Sequence, residues 1–368
     1  MNNTDPEIVS AENTRLNEKE YQDKKIYLES YPQAVFIQID GPCNHDCLFC
    51  SRPEAYKYFD LDEFNSKFEE LLFPVFQRVN RINLTGSGEH LFLPEAKRNL
   101  EYFNQFKQAE KMFATNGSSL TPKMIDYIAE SDNKYVIHLS LHAGEKELHK
   151  SITKADNFCV IIDNLLYLRK VRENGANNIQ LNIVFVATTK NIEHLGEFVN
   201  FAGSFNPDAV IAYYNFIYRL DQKMLSCYFA QSQTARMLNT AKEESLLWPE
   251  SIRDNCRLEL PPAFLQKEYP VYDLCKEVWS QIMINSEGAI IPCDASGDSH
   301  ENVIGSADFM DVWNGKYYTN LRKQLAEKKN DCARYCFRAN PAAVNDFRSH
   351  FITRGRTKKE IAEFLKGT

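Results

Sequence analysis

The 368-residue sequence contains no apolar run of the length a membrane requires. A spanning helix needs ~20 consecutive apolar residues, and the opening "MNNTDPEIVSAENTRLNEKEYQDKK" also lacks the apolar core of a secretory signal. The expectation is a cytoplasmic protein with no membrane partner. There is no excess of basic charge: 43 Lys and Arg stand against 50 Asp and Glu, for a net charge of −7. Nothing therefore marks a general polyphosphate binder, and no nucleic-acid partner is expected. Internal repeats and low-complexity tracts are absent as well, which excludes a repeat architecture. What remains, with 43% hydrophobic and 25% charged residues, is an ordinary globular chain. It is long enough for one large α/β domain and a smaller one, or for two to three average domains.

Cysteine is the residue type with an unusual distribution. In a reducing compartment, clustered thiols bind metal or do chemistry more often than they pair. Of the ten, Cys43, Cys47 and Cys50 sit in the decapeptide "GPCNHDCLFC" (41–50), and Cys275, Cys293, Cys332 and Cys336 fall near the C-terminus. Cys159, Cys227 and Cys256 lie between the two groups.

Along the chain, β-type runs alternate with amphipathic helical ones. "AVFIQID" (34–40), "RINLTG" (81–86), "KMFAT", "YVIHLSL", "IQLNIVFVAT" and "DAVIAYYN" read as strands. Between them, "LDEFNSKFEELLFPVF", "PEAKRNLEYFNQF", "TPKMIDYIAE", "NFCVIIDNLLYLRKVREN" and "NIEHLGEFVNFAG" read as helices, the third capped by Thr121 with Pro122 at its first position. Six βα-type units argue for a parallel sheet, barrel-like or doubly wound. Cys43, "GSGE" (86–89), "TNG" (115–117) and Ser140 to His142 all fall at or just beyond C-terminal strand ends, the edge where parallel α/β folds place their active sites.

Three thiolates in one loop leave a structural zinc site one ligand short unless His45 or a distant residue joins. A cubane iron–sulfur cluster with three protein ligands instead leaves one iron open. The CxxxCxxC spacing after a first strand, with Phe49 before the third Cys, resembles the signature of the radical S-adenosylmethionine superfamily. Over residues 33–215, "TGSGEH", "TNGSSLTP" and "LSLHAGEKELHKSIT" resemble its later motifs in family order. Two positions depart from it: His90 stands where Pro is usual, and His142 where Asp is more frequent. The resemblance implies a partial (β/α)6 TIM-like barrel. It also implies a 4Fe–4S cluster on Cys43, Cys47 and Cys50 whose open iron chelates S-adenosylmethionine, and one-electron cleavage to a 5′-deoxyadenosyl radical that abstracts hydrogen from substrate. Phe49, Gly88, Glu89, Asn116, Ser140 and His142 are then the cofactor-binding candidates. Glu89 would accept from the methionine ammonium, and Phe49 would pack on adenine.

In the C-terminal third, "SQIMI", "NSEG" and "AIIPC" read as a β-hairpin, with Gly288 supplying a positive φ. With "WNG" and the Cys332/Cys336 pair, residues 270–340 resemble the SPASM auxiliary-cluster extension or its shortened twitch form. The pair's CxxxC spacing departs from the usual CxxC, and about three cysteines of the full pattern are missing. Cys275, Cys293, Cys332 and Cys336 number the four that one closed cluster needs, and a four-cysteine zinc ribbon is the plainer reading of the same count.

The expected organisation is a loosely held lead-in (1–32), a core barrel (33–215), a bridge (216–269), the auxiliary-cluster domain (270–340) and a basic, capped helical tail (341–368). Arg219, Asp221 and Gln222 in the bridge are candidates for polar substrate recognition. Cys159 reads as a small core residue, whereas Cys227 and Cys256 are weak catalytic candidates as hydrogen-atom donors. Cys256 is also a substitute auxiliary ligand.

The principal expectation is an oxidoreductase-like enzyme that oxidises, dehydrates or epimerises a small polar metabolite. Its second cluster would be an electron acceptor or a structural element, and its external one-electron donor a flavodoxin or ferredoxin. The alternative is a maturase that crosslinks or epimerises a ribosomal peptide. The lead-in, too short for a separate leader-binding domain, tilts the expectation to the metabolite. A non-catalytic zinc-binding interaction protein is the third reading.

Overall fold

The computed structural model describes residues 5–51, 57–269, 274–285, 287–293, 301–303, 305–306, 308–329, 336, 339–351, 359, 362–363 and 365–366. Its centre is a parallel sheet of β1 (Ala34–Ile37), β2 (Arg81–Leu84), β3 (Glu110–Thr115), β4 (Tyr135–Ser140), β5 (Ile179–Ala187) and β6 (Ala209–Tyr214), side by side in chain order. Helices alternate with these strands: α1 (Pro6–Gln22), α2 (Leu61–Phe76), α3 (Ala96–Asn104), α4 (Pro122–Ala129), α5 (Lys146–Thr153), α6 (Phe158–Glu173) and α7 (Leu195–Gly203), with α8 (Gln231–Ser245) after β6. Local chemistry sets their starts. The Asp60 carboxylate accepts from Glu63 N at 2.8 Å before α2, and the Thr121 hydroxyl accepts from Met124 N at 3.4 Å before α4.

The sheet is wider than six strands. β7 (Arg257–Glu259), from the bridge, pairs in parallel with β6. At the other edge β8 (Gln281–Ile284) pairs in parallel with β1, and β9 (Ala289–Ile291) and β10 (Glu301–Asn302) follow antiparallel. The C-terminal hairpin thus continues the barrel sheet instead of standing apart from it. Its turn is drawn tight by Asn285, whose Oδ1 accepts from Glu287 N at 3.0 Å and Ala289 N at 2.9 Å, with Gly288 at φ +80°.

The two faces of this open sheet differ. Phe113, Tyr135, Ile137, Leu139, Leu181 and Ile183 pack outward against the helices in one large core. Of their alternates, Met112, Ala114, His138, Ser140 and Gln180 are half-buried, whereas Val136, Asn182 and Val184 are buried, so the concave face is open along part of its length. At its floor Arg81 pairs with Glu110.

Residues 5–33 are not loosely held. The inward face of α1 is made of Asn13, Asn17 and Glu20, all buried, which hides its helical period from an apolar pattern search. Asn17 Nδ2 donates to Trp279 O at 2.7 Å, and Glu20 accepts from Ser30 Oγ at 2.6 Å. The "WNG" segment completes the clamp. Asn314 bonds both backbone groups of Leu28 at 2.8 Å, and Trp313 Nε1 donates to Ser30 O at 3.0 Å. Beneath them Arg322 is fully buried, its guanidinium 4.3 Å from the Trp313 ring centroid.

Two further expectations change. Cys159 is exposed, because the buried stripe of α6 runs through Ile161, Asn164, Leu165 and Leu168 and bypasses it. The tail begins as two 3-10 turns, Pro341–Asn345 and Phe347–His350, and most of the expected capped helix lies outside the described residues.

Lys111 on β3 is fully buried and donates from Nζ to Phe106 O (2.6 Å), Ala109 O (2.7 Å) and Asn133 Oδ1 (2.7 Å). Lys111→Met keeps the volume and strands three acceptors. The expected loss is about 3 kcal/mol, seen as a lower denaturant midpoint with an unchanged m-value.

Candidate active site

The cysteine loop leaves the C-terminal end of β1 and is pinned from two sides. Asp46 N donates to Thr153 O at 2.9 Å and Leu48 N to Ile152 O at 3.0 Å, tying the loop to the end of α5. From the bridge, the fully buried Gln222 donates through Nε2 to Leu48 O (3.1 Å) and Cys50 O (3.0 Å), and Arg219 Nη1 donates to Cys50 O at 3.1 Å. Gln222 and Arg219 therefore hold the thiol loop, and the recognition role expected of them gives way to that one. His45 is buried and meets Asn157 through Nε2, with its ring edge-on to His149 at 5.7 Å. It is a loop anchor.

The three thiols are half-buried. Cys43 Sγ accepts from His45 N at 3.4 Å and Asn116 Nδ2 at 3.9 Å. Burial, and then the nearby Cys50 and Cys43, push the Cys47 thiol up to about 12. Thiolates packed like this repel unless cationic iron stands among them. Among the described residues no three His, Cys, Asp or Glu side chains are grouped as a single metal ion would need. A cubane makes a different demand, since each thiolate meets its own iron.

The "GSGE" loop after β2 is laced to the cysteine loop. Gly41 N donates to Ser87 O (2.8 Å), Glu89 N to Pro42 O (3.0 Å), and Ser87 N to Asp40 Oδ1 (2.6 Å). A Cβ on Gly88, whose φ is +112°, would stand 2.0 Å from Gly41 O, and one on Gly86 would stand 2.4 Å from Ile39 O. Only glycine permits this approach.

Glu89 is buried within the same lacing. Its Oε1 accepts from Thr115 Oγ1 at 2.7 Å and Leu91 N at 3.3 Å, and its Oε2 from Asn116 N at 2.6 Å. Burial pushes its carboxyl up to about 7 against those bonds. A carboxylate has about four acceptor positions, so Glu89 keeps capacity for one cationic donor, and among the described residues no protein cation bonds it. Asn116 joins both loops: Nδ2 donates to Asn44 Oδ1 (2.8 Å), and Oδ1 accepts from Ser118 N (2.9 Å).

At the end of β4, His142 Nδ1 accepts from Val186 N at 3.2 Å, which leaves the proton on Nε2. Burial pushes this imidazole down to about 3, so it is neutral. Phe49 stands edge-on to it at 4.9 Å and 90°. Ser140 is half-buried on the concave face. Phe49, Gly88, Glu89, Asn116, Ser140 and His142 thus gather with the three thiols at one end of the sheet. Asp40 and Thr115, which orient Ser87 and Glu89, escaped the sequence reading. Their signal was a polar residue ending a strand beside each motif.

Other candidates are not brought there. Cys227 is fully buried in the helix-facing core, where desolvation pushes its thiol up to about 12. Cys256 is buried just before β7, beside Asp208 and Arg172 at the opposite end of the sheet, and is pushed up to about 12 as well. Neither thiol faces the concave side, so the hydrogen-donor role has no geometric support. Of the auxiliary set, Cys275, Cys293 and Cys336 are half-buried, and Cys332 lies outside the described residues.

The residues present fit an iron–sulfur cluster with S-adenosylmethionine: a triad of half-buried thiols in one loop, a glycine cradle, and a buried carboxylate with no cationic partner among the described residues. Comparison with known proteins agrees. Residues 41–202 match the radical SAM superfamily model, and residues 275–338 match the SPASM iron–sulfur cluster-binding domain. SuiB of Streptococcus suis bound to S-adenosylmethionine superposes with a TM-score of 0.60 at 17% identity, over 84% of this chain and 72% of that one. SuiB bound to its precursor peptide SuiA gives 0.60 at 18% identity over 84% and 71%. The enzyme anSMEcpe with bound AdoMet and the Cp18Cys peptide gives 0.58 at 15% over 83% and 87%. At such identities these likenesses show the shared partial-barrel fold. No curated protein matches the sequence. The two domain models imply 4Fe–4S clusters, and the first implies S-adenosylmethionine as well. With motifs, fold and domain models in agreement, the chain belongs to the radical SAM superfamily of enzymes and carries a C-terminal SPASM iron–sulfur cluster-binding domain.

Proposed function

We propose that the protein is a radical S-adenosylmethionine enzyme that functionalises a C–H bond of a peptide. Cys43, Cys47 and Cys50 would hold the open 4Fe–4S cluster, which with S-adenosylmethionine supplies one-electron cleavage to a 5′-deoxyadenosyl radical. The observation that carries the reading is the buried Glu89 carboxylate, held beside the thiol loop by Thr115 and Asn116 with no cationic side chain bonded to it among the described residues.

The chain's own residues then have definite tasks. Glu89 binds the methionine ammonium, and the glycines of "GSGE" let backbone approach the methionine portion. Phe49 packs on adenine. Ser140 and the Nε2–H of His142 donate to ribose or carboxylate oxygens, and Asn116 holds the two loops in register while donating to Cys43. Gln222 and Arg219 keep the thiol loop closed. Cys275, Cys293, Cys332 and Cys336 would hold the auxiliary cluster, as electron acceptor or structural element. Cys256, at the far end of the sheet, is no substitute ligand. An external one-electron donor of the flavodoxin or ferredoxin type completes the set.

The peptide class replaces the small polar metabolite expected from the sequence. Structures sharing this architecture carry a bound peptide: the precursor peptide SuiA in SuiB, and the Cp18Cys peptide in anSMEcpe. The short lead-in loses its force as a counter-argument, because α1 is part of the packed body and the concave face itself is open. A zinc-binding interaction protein is set aside by the two domain models.

Anaerobically reconstituted, reduced protein is expected to form 5′-deoxyadenosine from S-adenosylmethionine. A pool of short synthetic peptides should raise that rate and gain a mass change, and a pool of amino sugars should do neither. The reverse pattern would restore the metabolite reading.

Glu89 also sets a pH dependence. Its raised carboxyl is neutral below about 7 and gains the charge that an ammonium requires above it. Affinity for S-adenosylmethionine is expected to rise with pH up to about 7, by as much as about tenfold per unit, and then level off. Glu89→Gln should weaken binding at pH ~8 by about tenfold and flatten the profile, as read by anaerobic calorimetric titration.

A further inference from the structure

The concave face carries a polar group that the cofactor site leaves unused. Strand alternation puts His138 of β4 and Gln180 and Asn182 of β5 on that face, because Ile137, Leu139, Leu181 and Ile183 pack into the helix-facing core. In the sheet register His138 stands opposite Asn182. Ser140, at the cofactor end, lies two residues further along β4, a rise of about 6.6 Å.

Gln180 Nε2 lies 3.2 Å from Asn182 Oδ1, and Asn182 Nδ2 lies 3.0 Å from His138 Nε2. With the two amides oriented this way, Nε2 accepts and the proton of the neutral ring sits on Nδ1. Desolvation, and then Arg81 below, hold this imidazole down at about 4, so it is neutral at physiological pH. Among the described residues Nδ1 has no protein acceptor, and His138 is half-buried. Its layer neighbours in the register, Ala114, Asn182 and Ala209, are uncharged.

We propose that Gln180, Asn182 and His138 form a fixed relay that presents the Nδ1–H of His138 to the concave face as the donor for an uncharged carbonyl oxygen of the substrate. A neutral donor among neutral neighbours suits an amide. The charges below this layer, Arg81 and Glu110, pair with each other, so among the described residues a carboxylate or phosphate would find no free cation to offset its desolvation, and an ammonium no free carboxylate. The peptide reading above identifies the carbonyl as a peptide amide. Held there, it fixes the adjacent Cα–H on the cofactor side of the relay. His138 is thus a substrate-binding residue, and Asn182 is a positioning residue that acts through it.

The test is 15N-histidine NMR on the anaerobically reconstituted, oxidised holoenzyme, with His138 assigned by His138→Asn. The probes are N-methylacetamide, acetate and tetramethylammonium. The relay predicts a protonated Nδ1, a saturable shift with N-methylacetamide and a weaker response to the two ions. Asn182→Leu should give mixed tautomers and bind the amide about fivefold more weakly, whereas Asn182→Gln should recover part of both. Iron content and circular dichroism would show that each variant is folded. An Nε2–H tautomer in the unmodified protein, an unmoved signal, or a stronger response to acetate would overturn the proposal. The two readings fail separately. Peptide turnover with an unmoved His138 signal sinks the relay alone, and an amide-responsive His138 without peptide turnover sinks the peptide reading alone.

Discussion

The approach of Gly88 to Gly41, where a Cβ would come within 2.0 Å of a carbonyl oxygen, sets the spacing between the thiol loop and the loop after β2. Most other features of the site follow from it. Because the loops touch, Glu89 N can reach Pro42 O, and the Glu89 carboxylate is carried below the surface beside Cys43. Thr115 and Asn116 come up from β3 to meet it there, and Asn116 returns a donor to Cys43. Three strand ends are thereby locked into one unit. That unit presents thiols, a cradle and one buried carboxylate to the same point, and the carboxylate, without a cationic partner among the described residues, bears its desolvation until a cation arrives.

The wider fold keeps this unit fixed while leaving the concave face accessible. Outward side chains are buried along the strands, whereas inward ones are mixed, with Met112, Ala114, His138, Ser140 and Gln180 half-buried and Val184, Ala209 and Ile211 packed in a small buried cluster. The chain's two ends reinforce the barrel edge from outside. β8 adds to β1, α1 wedges against Trp279, and Asn314 pairs with Leu28 as a neighbouring strand would. The bridge works from the mouth, where Gln222 spends its whole amide on backbone: Leu48 O and Cys50 O on one side, Tyr218 N and Arg219 N on the other. Ile217 N in turn bonds His350 O at 2.8 Å, so the segment after the auxiliary domain is joined to the thiol loop through a few residues.

Much of this was legible in the chain. The α2 span, the six strands of the barrel and the hairpin around Gly288 follow from apolar period, caps and turn residues, which are local signals. The cysteine triad, "GSGE" and "TNG" were legible as a site because each ends a strand, and parallel strands share one functional edge. Nonlocal pairing was not legible. Nothing in "SQIMI" says that it continues the sheet beside β1, and nothing in "RLE" says that it flanks β6. Polar burial was equally hidden, since the Asn and Glu residues of α1 and the amide of Gln222 look solvated until their backbone partners are known. Cys159 shows the converse error, in which an apolar helix was credited with burying a residue that its stripe passes by.

The central claim is that the Cys43–Cys47–Cys50 set is left open for S-adenosylmethionine. The most direct measurement is the electron paramagnetic resonance spectrum of the reduced protein, with Cys275 and Cys293 replaced by Ala to silence the auxiliary signal. Adding S-adenosylmethionine should shift the remaining cluster's g-values, as a new ligand on the open iron requires. A reduced-cluster spectrum unchanged by saturating S-adenosylmethionine would contradict the account.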